Sequence, residues 1–160
     1  NSKNRQNKLL PNVEARISLI TGEVMFGIVG EEERKLPTIV SNISSILEKL
    51  DEVGKIMSAK VVFEKASLDS LPLNYKFLYR HIGKITLTEN KEKIIFEDFE
   101  VLPRDIAVLF VKSKPYFEHG VICYEEGNLK VACEYFSQAL KICPKDKGCY
   151  TYFNSTKEKM

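Results

Sequence analysis

The chain lacks the spacings that mark a metal centre and the apolar runs that mark a membrane protein. Its four cysteines, Cys123, Cys133, Cys143 and Cys149, form no CxxC pair, and its two histidines, His81 and His119, stand alone. A zinc site draws on about four closely spaced soft ligands, so this spacing argues against one. Free thiols in a reducing compartment are the expected state. No run approaches the roughly 18 apolar residues needed to cross a bilayer, and no apolar signal region opens the chain. A cytoplasmic chain with no membrane segment is expected. An excess of one charge is missing too: 24 Lys and Arg face 22 Asp and Glu, a net charge of +2, and no basic patch clusters. That balance implies neither a nucleic-acid partner nor an acidic substrate. The first residue is Asn rather than Met, as expected either of a processed product or of a piece of something longer.

What is present is a globular composition. Of 160 residues, 44% are hydrophobic and 29% charged, enough for one core or for a compact domain with an appendage. The opening NSKNRQNK carries Lys3, Arg5 and Lys8 without an apolar partner, so residues 1–14 are expected to be a flexible tail.

From Glu14 to Val29 the pattern alternates as ARISLI, TG and EVMFGIV, which predicts a β-hairpin turning at Thr21-Gly22. EEER reads as an exposed turn. Ile39, Ile43, Ile46, Leu47, Leu50, Val53 and Met57 then recur at helical spacing. They predict an amphipathic helix of about five turns, N-capped by Thr38 after Pro37. AKVVFEK reads as a short buried strand and SLDSL as a short helix closed by Pro72.

YKFLYRHIGKITLT and KIIFEDFEVL read as two long strands joined by the charged ENKEK turn. Their alternation predicts that each shows a polar face to water. Tyr75, Phe77, Tyr79, Phe96 and Phe99 are expected in a sheet-face core rather than on a platform for bases. Pro103 ends this pattern and the remainder is helical. The fold class is therefore α+β, an antiparallel sheet with packed helices over 15–102, followed by a helical extension over 103–160.

In that extension Gly120, Gly127, Ala132, Phe136, Ala139 and Pro144 are spaced as in a tetratricopeptide unit, which the segment resembles. Small residues there let two antiparallel helices approach. A third helix is expected from about Asp146 to Lys157. A lone repeat buries its face poorly, so docking is expected, on the β domain or on a protein partner through 115–158.

Residues 17–51 carry a second resemblance. TGEVMFGIVG, with Gly22, Gly27 and Gly30, is followed in register by Arg34, Thr38, Ile39, Leu50 and Asp51. This order resembles the second half of a class III adenylate/guanylate (nucleotidyl) cyclase domain. The resemblance implies a partial ferredoxin-like fold over 15–102 and an active site built at a dimer interface. A homodimer, or a second cyclase domain as partner, is then expected.

The same register implies a degenerate site. Leu36 stands where the family places an Asp that selects adenine, and a leucine offers the exocyclic amine no acceptor. Ser45 replaces the Asn that orients the ribose. Lys49 replaces the Arg that meets charge on the reacting phosphate. The two are neighbours on one helix face, but lysine is a point charge where arginine is a planar fork. The family holds two Mg or Mn ions on a pair of upstream aspartates; here no Asp precedes Glu14, and the upstream base-recognising Lys has no counterpart. Without metal, the charge that builds up in the transition state loses its main electrostatic support.

No intact catalytic residue and no cofactor are therefore expected in this chain, and its expected role is signalling or dimerisation. Two other readings stand beside it. The chain is the C-terminal piece of a cyclase that makes a cyclic nucleotide once the upstream metal half is present, or it is a tetratricopeptide-type interaction module.

Overall fold

A computed structural model describes residues 15–31, 34–41, 43–72, 77–89, 92–102 and 107–160. The expected tail over 1–14, Tyr75 and Pro103 lie outside them. In chain order the elements are β1 (Ile17–Leu19), β2 (Met25–Glu31), β3 (Arg34–Val40), α1 (Ser44–Met57), β4 (Val61–Glu64) and α2 (Lys65–Asp69). There follow β5 (Tyr79–Glu89), β6 (Glu92–Val101), α3 (Ala107–Glu125), α4 (Leu129–Ile142) and α5 (Lys147–Lys159). The fold is α+β. One sheet has the strand order β1-β4-β6-β5, and β2 and β3 form a separate two-stranded sheet.

The hairpin expected at Thr21-Gly22 does not form. β1 instead pairs in parallel with β4, Ile17 opposite Val61 and Leu19 opposite Phe63. The hairpin lies one step later, where β2 pairs antiparallel with β3 from Met25↔Val40 to Glu31↔Arg34. Alternation marks a strand but does not name its partner. The glycine that decides the turn is Gly30, at φ +138, where a Cβ would collide with the Arg34 carbonyl.

The helix also starts later than its spacing predicts. Thr38 and Ile39 belong to β3, and α1 begins at Ser44 after Ile43, with no side-chain cap. The β-branched Thr-Ile-Val run favours a strand. Pro37 is tolerated because a two-stranded sheet consists of edges. The helical spacing holds from there onward: Ile46, Leu50, Gly54 and Met57 are buried on one face of α1. Gly54 lets that face close on β4, since a Cβ would sit 3.2 Å from a Val62 methyl. α2 begins at Lys65, ahead of SLDSL, because the Glu64 carboxylate accepts from the backbone N–H groups of Ala66 (2.8 Å) and Ser67 (3.0 Å).

β5 and β6 pair from Tyr79↔Val101 to Glu89↔Glu92, with a bulge between His81 and Gly83. Their polar phase near the bulge does not face water. Arg80, Asp98 and Glu100 are buried, each 5% exposed or less, beneath the C-terminal helices. On the opposite face Phe63, Phe77, Tyr79 and Phe99 stack edge and face on one another. Phe63 is buried there.

α3 and α4 form the expected helical pair, joined through Gly127 at φ +81. They approach at Gly120, where a Cβ would lie 2.6 Å from the Phe136 ring, and Ala132 and Ala139 are buried in the same contact. One core runs through both parts of the molecule: Leu50, Val62, Ile82 and Ile85 from α1 and the sheet meet Phe117, Val121, Phe136 and Cys149 from the helices. Among the described residues no helix is long and apolar enough to cross a membrane.

Candidate functional site

Ser45 and Lys49 lie one turn apart on α1, both exposed, beside the buried Ile46–Leu50 stripe. Lys49 Nζ donates to the Thr86 carbonyl of β5 at 3.3 Å. Leu36 is on β3, 69% exposed and opposite Val29 in the hairpin. The helix face and the hairpin are thus separate surfaces of separate elements, joined by the short link between β3 and α1.

Two carboxylates of neighbouring elements are already engaged. Asp51 pairs with Lys55 at 2.7 Å, and that hydrogen bond holds its carboxyl below the usual range. Glu64 caps α2. Among the described residues, no three His, Cys, Asp or Glu side chains are grouped to hold a metal ion.

The hairpin exposes apolar side chains on both faces. Met25 (73% exposed), Val29 and Leu36 share one face, while Phe26 (68%), Ile28 and Ile39 share the other.

The principal electrostatic feature lies elsewhere, at the seam between the sheet and the helices. Arg80 of β5 is 1% exposed. Its Nε donates to Glu100 Oε1 at 2.5 Å, and Nη1 and Nη2 donate to the two oxygens of Asp146 at 2.5 and 2.9 Å. Its guanidinium lies 3.7 Å above the Phe117 ring centroid. Asp146 in turn accepts from the Cys149 N–H at 3.1 Å, capping α5. Burial works against the Arg80 charge, but the Glu100 and Asp146 carboxylates outweigh it and raise the pKa above the ordinary arginine value.

Asp98, on the same face of β6, has no such counterion. Its Oδ1 is buried without a hydrogen-bond partner. Burial, then the nearby charges of Glu64 and Glu125, push its carboxyl up to about 8. The buried thiols Cys143 and Cys149 are raised by desolvation, which leaves them poor nucleophiles. The histidines have structural surroundings: His119 Nδ1 lies 2.7 Å from the Pro115 carbonyl oxygen, and His81 packs edge-on against Phe99.

Sequence reasoning missed the Arg80–Glu100–Asp146 network because strand alternation assigned its residues to water. A signal was available in DFEV: two acids in phase on a strand, facing an Arg in phase on its neighbour, make a pair that can be buried together.

No protein-family model matches the chain. Over 143 residues, 88% of the chain, it is 24% identical to an adenylate cyclase of Dictyostelium discoideum described as terminal-differentiation specific. The match covers 7% of that protein's length. The chain is thus related in sequence to an adenylate cyclase and corresponds to a small part of it.

Proposed function

We propose that residues 15–102 form a degenerate class III cyclase-homology module with a signalling role exerted through dimerisation, and that this chain alone does not catalyse cyclization. The observation that carries this reading is the β2–β3 hairpin, whose two apolar faces are exposed in the single chain. Its occupant is a second cyclase-type domain, either another copy of this chain or a related domain. The relationship to an adenylate cyclase supports that choice of partner. The substitutions at Leu36, Ser45 and Lys49 support loss of chemistry: the base-selecting acceptor is gone, and the lysine hydrogen-bonds to its own β5. Free thiols at all four cysteines accord with a cytoplasmic setting.

The test has two arms. Purified chain incubated with ATP or GTP and Mn²⁺ is expected to release no cyclic nucleotide; steady release would overturn the non-catalytic assignment. Sedimentation velocity is expected to show a concentration-dependent dimer that Phe26→Glu weakens. A monomer at every concentration, alone and mixed with a cyclase domain, would overturn the docking role.

A second reading, the tetratricopeptide-type interaction module, is favoured by the Gly120–Phe136 approach of α3 and α4. It is the weaker of the two because the helices share their core with the sheet. The third, a C-terminal cyclase piece completed by an upstream metal half, predicts that Ser45→Asn with Lys49→Arg raises turnover in a longer protein.

A further inference from the structure

We propose that the seam between the sheet and the C-terminal helices holds a binding site for a small organic phosphate, independent of any cyclase chemistry. The seam opens into a cleft of about 690 Å³ that reaches the Arg80 network. Clefts of roughly 300–1,000 Å³ suit small molecules with a ring-sized body.

The sign of the ligand follows from the lining. Among the described residues, five cationic residues and two carboxylates border the cleft, although the whole chain is almost neutral. Both carboxylates, Glu100 and Asp146, are paired with Arg80. The cations left over are Arg16, Lys60, Lys145 and Lys147, around the mouth. Arg16 is held there by a bond from its Nε to the Ala59 carbonyl at 3.2 Å, which leaves its other guanidinium nitrogens available. Arg16 also lies near the Asp51 carboxylate, but Lys60, Lys145 and Lys147 make no ion pair among the described residues. Several cations lining one cleft favour a dianion over a monoanion, and lysine binds phosphate as a point charge.

The nature of the body follows from the other wall. Met57, Leu102 and Phe110 supply apolar surface beside the charged mouth. Inorganic phosphate cannot use that surface, whereas a phosphomonoester on an aromatic or aliphatic body can. The cleft borders α1, the start of β4 and the start of α5, so an occupant would tie the two halves of the molecule together.

Phenyl phosphate titrated into the full chain, followed by calorimetry and by amide shifts of residues 57–61 and 145–148, tests the proposal. Saturable binding with a Kd below about 1 mM is expected, at least about ten-fold tighter than inorganic phosphate or benzoate. Lys60→Glu combined with Lys147→Glu is expected to weaken it about ten-fold or more. Both positions are exposed, and an acid in the first turn of α5 suits the helix dipole, so folding is retained. Lys141→Glu, exposed on α4 away from the cleft, is the control and is expected to change affinity by less than about two-fold. Three results would overturn the proposal: no saturation by phenyl phosphate, equal affinity for inorganic phosphate or benzoate, or equal loss in the control and the double variant.

Discussion

The β2–β3 hairpin and the Arg80 seam invert the usual arrangement in opposite directions. The hairpin carries Met25, Phe26, Ile28 and Leu36 outward, each more than two-thirds exposed, while the seam encloses a guanidinium and two carboxylates that are nearly inaccessible. Exposed apolar surface is costly to a lone chain and is relieved by a partner. Buried charge is costly unless its counterions are built in. Arg80 has them, two from β6 and α5. The hairpin has no equivalent cover among the described residues. The seam is therefore an internal joint, complete within one chain, and the hairpin is the surface that the proposed second chain would cover.

The largest expected effect breaks the seam. Arg80→Ala leaves Glu100 and Asp146 buried and unpaired, and chemical denaturation followed by circular dichroism should show a loss of about 3–5 kcal/mol. Arg80→Lys should recover only part of it, because an ammonium cannot bond both acids with the same planar fork. If both variants unfold at the wild-type midpoint, the seam is not what joins the halves.

Next comes Asp98, on the seam's own sheet face. Its folded carboxyl, near 8, lies above the unfolded value of 3.8, so the native state retains a proton that the unfolded chain has released. This contribution is complete below the unfolded value and is lost as pH rises through the folded one. Asp98→Asn should therefore stabilise by about 2 kcal/mol or more at pH 8.5 and by little at pH 4. Melting curves across that range check it; a pH-independent difference would place the carboxyl in a polar environment.

The hairpin should respond in association rather than in folding. Phe26→Glu or Ile28→Glu should weaken dimerisation at least about ten-fold by sedimentation, and each is expected to leave the folding midpoint within about 0.5 kcal/mol of wild type. A large loss of stability would show that the hairpin is covered within the monomer. The smallest effect belongs to Lys49→Ala, which removes one exposed bond to the Thr86 carbonyl and should cost under about 0.5 kcal/mol.

Much of the fold was legible because it rests on local pattern. Ile46, Leu50 and Met57 recur at the spacing of a buried helix face, and Gly120 with Phe136 foretold a close helix pair. The failures were all non-local. β1 chose a parallel partner more than 40 residues away over the neighbour that its alternation suggested, and a run of helical spacing began inside a strand at Ile39. Period two says which side chains share a face of β6, but not which face the helices will cover. Glu100 went inward because Arg80 and the start of α5 were there to meet it, and Asp98, in phase with it, was buried on the same face. As for the candidate site, helical spacing put Ser45 and Lys49 on α1 but gave Leu36 no strand, and the seam cleft depends on chain segments that sequence reading treats separately.

Asp146 serves two masters: it starts the last helix and it neutralises a cation on a strand 66 positions earlier. The final turns of the chain are consequently no detachable accessory. A truncation ahead of that aspartate would leave the Arg80 guanidinium with one of its two carboxylates, and a partner that levers the terminal helix aside would be pulling directly on the sheet.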